Sequence, residues 1–336
     1  MKAVVARSFG PPESFALEDV DIAAPAAGEL RVRIRAAAVN FVDMLVASGR
    51  YQRRPDLPFT TGGEFAGIVE AIGPGVRDVA IGQAVCGSAL CGAHAQGIVV
   101  RQDAVTPLPP GMRFAEGAVF RVANGTAMAA LVQGAAAAPG ERMLVLGAGG
   151  GVGHAAVAIG KALGATVIAA ASSGGKRALA LAAGADTVIA SDDPEWRARL
   201  SDALHGAALD IVVDPLGGPW TEPAFRALGW GGRHLVIGFA GGAIPSLATN
   251  LALVKGSRLV GVNFGQFVRR QPDALRANMA TLRDWWMGGR LPAPPVRLFP
   301  LERFREAMDA ASDRSGLGRV VLDMAPDRED SGAHSL

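Results

Sequence analysis

The sequence predicts an α/β protein in which a doubly wound parallel sheet is joined to a second, β-rich domain. Three observations predict it. A glycine-dense loop at 147–153 stands between a short apolar run and an Ala- and Val-rich helical stretch. From there to residue 264, six apolar runs of strand length alternate with helical stretches. Before residue 120, short strand-like runs are punctuated by Gly and Pro, and Leu30 to Arg35 alternates apolar and charged residues with period two.

In order along the chain, strands are expected at 1–6, 15–20, 29–38, 64–72, 83–86 and 96–100, broken by Gly10-Pro11-Pro12 and Gly73-Pro74-Gly75. The α/β part follows, with strands at 143–146, 166–171, 187–190, 209–214, 234–239 and 258–264 and helices at 152–163, 176–183, 194–205 and 219–228. The tail offers a helix at 274–286, a turn at Pro292, Pro294 and Pro295, a helix at 301–311 and a strand at 318–322. With no sheet of its own, this tail is expected to return to the first domain. The expected domains are therefore 1–120 plus 261–336, β-rich, and 121–260, doubly wound. The polar end, 327–336, is expected to fray.

Composition narrows the function classes. The 336 residues carry a net charge of +2 with 19% charged side chains, too weak a field to argue for nucleic acid. Two cysteines, Cys86 and Cys91, make no disulfide framework, and a reduced, cytoplasmic setting is expected. Residues 1–7 hold no apolar run of signal-peptide length, and the small-residue stretch 155–171, interrupted by Lys161, reads as a buried helix and strand and not as a membrane span.

The loop itself points to a dinucleotide. Glycines let the backbone turn sharply and let a pyrophosphate approach, and the following helix start presents unpaired N–H groups. Gly147 and Gly149 would require a third glycine at 152, which is Val152; the register that works is Ala148, Gly150, Gly153. Gly150, Gly151 and Val152 then face the pyrophosphate. NAD sites place Asp or Glu about 20 residues further on, yet no acidic residue lies between Glu141 and Asp186. The second strand runs instead into Ala171-Ser172-Ser173-Gly174-Gly175-Lys176-Arg177, whose hydroxyls and cations suit a 2′-phosphate. NADPH is the expected cofactor; the alternative is that Lys176 and Arg177 open a solvated helix face.

The whole chain resembles the medium-chain dehydrogenases/reductases, in particular their zinc-free quinone oxidoreductase branch. The resemblance rests on Ala-Ala-Ala-Val-Asn-Phe-Val-Asp (36–43), Gly-Arg-Tyr (49–51), the segment 57–76, Asn-Gly-Thr-Ala (124–127), the glycine loop and Gly-Leu-Gly-Arg-Val-Val-Leu (316–322). It implies a GroES-like β-rich catalytic domain built from both chain ends around a Rossmann domain. In the zinc branch a Cys ligand stands at the position of Asn40 and a His at that of Gly63, and a four-cysteine lobe holds a second zinc. This chain has none of these, so no metal is expected.

The same resemblance assigns residues. Ser172 and Lys176 match 2′-phosphate contacts, and Thr126 a contact near the nicotinamide ribose, unless it caps a helix. Gly238, Phe239 and Phe264 match the nicotinamide surroundings, with core packing the alternative for the aromatics. Arg319 matches a basic residue near the cofactor, or is a surface arginine. Tyr51, the sole tyrosine, stands at the active-site mouth as proton donor or as a binding group. Asn40 offers an amide donor to a carbonyl oxygen, or caps a turn; Asp43 orders the local helix. Leu45, Ser191 and His94 depart from the family pattern and reshape the pocket. The expected reaction is reduction of a quinone, or alternatively of an enal, enone or enoyl thioester, for which Arg50, Arg53 and Arg54 would form a basic channel. A cofactor-binding protein without turnover is the reading from a different class. A homodimer through the edge run 258–264 is expected.

Overall fold

A computed structural model describes residues 1–324, so the segment expected to fray, 327–336, lies outside the described residues. Two units emerge, one comprising Met1–Arg121 and the chain from Pro295, the other Val122–Pro294.

The first unit begins with β1 (Lys2–Ala6), β2 (Phe15–Asp19), β3 (Glu29–Ala38), α1 (Phe41–Ala47), β4 (Phe59–Thr60), β5 (Glu64–Ile72), β6 (Ala84–Ser88), β7 (Gly97–Arg101), β8 (Val105–Pro107) and the single turn α2 (Phe114–Gly117). In β3 the period-two pattern does what it predicts: Leu30, Val32 and Ile34 are buried and Arg33 is exposed. β3 pairs antiparallel with β5 and β7, while β1 lies between β2 and β4 in a small sheet.

The second unit opens with α3 (Arg121–Met128), which runs into a π-helical turn at Ala129–Gly134. Then come β9 (Arg142–Leu146), α4 (Gly151–Ala162), β10 (Thr166–Ala171), α5 (Gly174–Ala182), β11 (Thr187–Ala190), α6 (Trp196–Leu204), β12 (Leu209–Asp214), α7 (Thr221–Arg226), β13 (Leu228–Val236), α8 (Asn250–Lys255), β14 (Arg258–Gly261), α9 (Phe264–Arg270) and α10 (Pro272–Met287). All strand pairs are parallel and the order is β11-β10-β9-β12-β13-β14. This is the doubly wound order, whose direction of winding reverses between β9 and β12 and leaves a crevice at their carboxyl ends.

The tail returns to the first unit as β15 (Val296–Pro300), α11 (Phe304–Ser312) and β16 (Arg319–Asp323). β16 pairs antiparallel with β3, Val321 opposite Ala38, and β15 runs parallel beside it. Phe304, Ala307 and Met308 of α11 enter the same core as Leu30, Val32 and Phe65.

The structure departs from the sequence expectations at several boundaries. β13 spans Leu228–Val236 and not 234–239, because Gly229, Gly231 and Gly232 lie inside the strand and read from sequence as a turn. β14 stops at Gly261, since the Asn263 side chain accepts from Gln266 N (2.9 Å) and caps α9. The division between units falls after Pro294 where the sequence suggested 260: α9 and α10 pack together, and Asn278 of α10 exchanges two hydrogen bonds with Gln133. Both cysteines are free thiols. Among the described residues no helix is long and apolar enough to cross a membrane.

Candidate functional site

The residues expected to bind a dinucleotide lie in the second unit. β9 delivers Gly147 (φ +61°) into the loop, and Gly150 caps α4 without a side chain. The N–H groups of Gly151, Val152 and Gly153 therefore have no intrahelical partners, the condition under which a helix start can take an anion. Glycine is required at 153, where a Cβ would come within 2.2 Å of the Gly147 carbonyl oxygen. The register Ala148, Gly150, Gly153 thus carries the close approach.

At the end of β10, Ser172 is exposed and the Ser173 hydroxyl accepts from Lys176 N at 3.3 Å, capping α5. The Lys176 stem lies over the glycine loop, so a Cβ on Gly149 would fall 2.6 Å from the Lys176 Cβ and Cγ. Arg177 turns elsewhere, donating to the Ala171 carbonyl (3.2 Å) and standing 3.7 Å from Asp192. Lys176 and Ser172 therefore share one end of the loop with the helix N-terminus, an arrangement that fits a phosphorylated ribose.

Thr126 is buried in α3 and donates its hydroxyl to the Val122 carbonyl (2.6 Å), back-bonding inside the helix and not capping it. Phe264 packs its ring on Gly125 and stands 6.4 Å from the Phe267 ring. Gly238 and Phe239 follow β13, and Phe239 is 37% exposed. Ser191 is buried, its carbonyl accepting the Trp220 indole N–H (3.0 Å).

Sequence reasoning missed Asp214. It ends β12 at the reversal point, accepting from Leu216 N (2.9 Å) and Gly217 N (2.8 Å) with one oxygen and from Thr221 Oγ1 (2.7 Å) and His234 Nε2 (3.0 Å) with the other. Burial pushes its carboxyl upward, but the bonds from His234, Thr221 and Gly217 prevail and hold it below the ordinary carboxylate value. Asp214 thereby shapes the 215–217 loop that meets Gly147, whose added Cβ would come 2.9 Å from Leu216. The signal was an Asp-Pro-Leu-Gly-Gly turn after an apolar strand.

A second group of candidate residues lies in the first unit. Asn40 precedes α1, and Asp43 Oδ2 accepts its backbone N–H (2.7 Å), so Asp43 orders the helix start. The Asn40 side chain makes no cap. Its Nδ2 donates to Glu64 Oε2 (3.1 Å) and its Oδ1 accepts from Arg319 Nη2. Arg319 is therefore not a free surface arginine. Burial lowers its pKa, opposed by the charges of Glu64 and Asp43. Asp43 is pushed up to about 7, chiefly by burial and further by the Glu64 charge, against the bonds from Asn40 and Gly63 and the Arg319 charge.

His94 is fully buried and works as a tie between loops. Its Nε2 donates to the Ala38 carbonyl (3.0 Å) and its Nδ1 accepts from Thr61 Oγ1 (2.9 Å). Burial pushes it down to about 4, so it is neutral. Its ring leaves only glycine room at 62, where φ is +87° and an added Cβ would sit 2.3 Å from His94 Cδ2. Tyr51 is half-buried against the core, with Leu45 nearby accepting its backbone N–H (3.0 Å). Its hydroxyl bonds to no described residue and remains available.

Asn40 and Gly63 stand at the positions where the resemblance puts zinc ligands in the alcohol-dehydrogenase branch. Among the described residues no group of three or more His, Cys, Asp or Glu side chains is placed to hold a metal ion. A Cβ on Gly63 would already touch Asp43 Oδ1 at 3.0 Å, and the cation bonded to Asn40 is Arg319.

Comparison with known proteins agrees with this architecture. Residues 26–158 match the family model of the alcohol dehydrogenase GroES-like domain, and residues 151–281 that of the zinc-binding dehydrogenases. Quinone oxidoreductase-like protein 2 of Rattus norvegicus is 31% identical over 88% of this chain and 85% of its own length. The quinone oxidoreductase of Thermus thermophilus, solved also with NADPH, is 31% identical with a TM-score of 0.82 over 96% of this chain and all of that one. The mycocerosic acid synthase-like polyketide synthase of Mycolicibacterium smegmatis is 30% identical over 96% of this chain, which matches 15% of that protein. The chain belongs to the medium-chain dehydrogenase/reductase superfamily, as a quinone oxidoreductase-like enzyme.

Proposed function

We propose that this chain is a zinc-independent, NADPH-dependent oxidoreductase that reduces quinones. The observation that carries the reading is the Lys176 stem laid over Gly149 at the acid-free end of β10. NADPH, when bound, supplies the hydride. Ser172 and Lys176 hold its 2′-phosphate, and the N–H groups of Gly151 and Val152 hold its pyrophosphate; the Gly150 N–H, expected to join them, is already given to the Gly147 carbonyl (2.9 Å), so Gly150 serves by its missing side chain. Thr126, Gly238, Phe239, Phe264 and Arg319 serve its nicotinamide end. Asn40 donates an amide N–H to the acceptor's carbonyl oxygen, which gains negative charge as hydride arrives. Tyr51, its hydroxyl bonded to no described residue, supplies the proton or binds the acceptor. A screen of NADPH oxidation across quinones, enals and crotonyl thioesters tests this. Turnover of quinones with NADPH is expected, and its absence refutes the reading.

The second reading, an enal, enone or enoyl-thioester reductase, is favoured by the likeness to the polyketide synthase and by Arg50, Arg53 and Arg54, all exposed beside Tyr51. The same screen separates the two. We also read the chain as a cytoplasmic homodimer. β14 ends the sheet, and Trp230, Leu253, Val254 and Leu259 near it are 84, 81, 71 and 52% exposed. Light scattering at the mass of one chain would refute it.

A further inference from the structure

The Asn40 carboxamide is held from both ends by groups that are far away in sequence. Arg319 lies 279 residues on and Glu64 lies 24 residues on. Arginine has only donors, so the atom facing it must be Oδ1; a carboxylate has only acceptors, so the atom facing Glu64 must be Nδ2. The two demands agree on one orientation of an amide that would otherwise turn between two nearly equivalent positions. The backbone at Asn40 is fixed separately, by Asp43 Oδ2 at 2.7 Å and by the Asp43 N–H to the Asn40 carbonyl at 3.0 Å. One Nδ2 proton goes to Glu64, which leaves the second.

We propose that Glu64 and Arg319 are positioning residues that clamp the Asn40 carboxamide, so that its second Nδ2 proton is presented in a single direction to the acceptor's carbonyl oxygen. This rests on the reading of Asn40 as the amide donor given above. The clamp explains why two opposite charges are placed around an uncharged side chain. Glu64 is fully buried on β5 and Arg319 opens β16, so the strands that bring the chain ends together also set the amide. A guanidinium and a carboxylate also offset each other's charge, which leaves the amide as a directed dipole.

The test combines kinetics and spectroscopy on the full chain. Asn40→Ala and Glu64→Leu each lower kcat about ten- to a hundredfold, while NADPH affinity by fluorescence titration stays within about twofold and the thermal transition is retained. Glu64→Gln, which keeps an acceptor oxygen, falls between wild type and Glu64→Leu. Because Glu64 acts through Asn40, the double variant is no slower than Asn40→Ala alone. Losses that multiply, or a kcat untouched by either single variant, overturn the proposal. A second readout needs no turnover. The sequence has five asparagines, Asn40, Asn124, Asn250, Asn263 and Asn278, so selective ¹⁵N-asparagine labelling gives a spectrum in which the Asn40 pair is the one missing from Asn40→Ala. Glu64→Gln moves one proton of that pair upfield and leaves the other. An unmoved pair overturns the clamp even if quinone reduction is found, and a moved pair upholds it even if quinones prove not to be the acceptor.

Discussion

His94 Nε2 stands 3.9 Å from Asp43 Oδ2, yet it donates its proton to the Ala38 carbonyl and not to the carboxylate. The two groups are fully buried and their protonation is driven in opposite senses by the same desolvation. Asp43, raised from 3.8 to about 7, keeps its proton in the fold after the unfolded chain has released it, so its contribution to stability falls as pH rises from about 4 to about 7 and is level beyond. His94, lowered from 6.5 to about 4, does the reverse: the unfolded chain takes up the proton first as pH falls, so stability rises between about 4 and about 6.5. Glu64 and Arg319 also face Asp43, and Asn40 and Gly63 bond to it.

Asp43→Asn removes the first slope and leaves the second. Urea unfolding from about pH 4 to pH 7 is expected to show the variant gaining on the wild type as pH rises, by at most about 1.4 kcal/mol per pH unit, with no further change above about pH 8. A difference that does not vary with pH contradicts the assignment.

Lys176→Ala is expected to raise the KM for NADPH about tenfold, the loss of one charge-assisted phosphate contact, while NADH kinetics change little. The side chain rests on the loop through its methylenes, so loss of the cation is separable from loss of packing by Lys176→Met. Equal effects on both cofactors would remove the 2′-phosphate from the account of Lys176.

Tyr51→Phe deletes a hydroxyl that bonds to no described residue, so the fold should lose little. Steady-state kinetics are expected to show kcat reduced by about a hundredfold if the hydroxyl is the general acid, with the KM for NADPH unchanged. A rise in acceptor KM at constant kcat would instead make Tyr51 a binding group.

Gly153→Ala places a methyl 2.2 Å from the Gly147 carbonyl oxygen, against the backbone of Gly147 and Ala148. The variant is expected to lose roughly 1–3 kcal/mol of stability, the ordinary cost of overpacking, together with measurable NADPH binding. Calorimetry gives both numbers, and wild-type affinity in a folded variant would show that the close approach is not needed.

Much of the fold was legible because the chain writes its periods plainly. Thr187–Ala190, Leu209–Asp214, Glu29–Ala38 and Glu64–Ile72 have the bounds expected from apolar runs and their turn residues. β15 was hidden by the prolines around it. The last strand was expected to run on to Phe264 because Val260 and Val262 continue the apolar run; the Asn263 cap, a single side chain, starts α9 there instead. At the site, Asn40, Tyr51, Lys176 and the glycines stand in local motifs. Glu64 and Arg319 as partners of Asn40 depend on long-range pairing that no local pattern encodes.

The most direct measurement is kcat/KM for NADPH and for NADH with a simple benzoquinone, on protein dialysed against a chelator and then with zinc restored. The account predicts an advantage of about tenfold or more for NADPH, given by one phosphate contact, and no change on removal or return of the metal. Equal efficiencies for the two cofactors, or turnover that disappears with the chelator and returns with zinc, would contradict it.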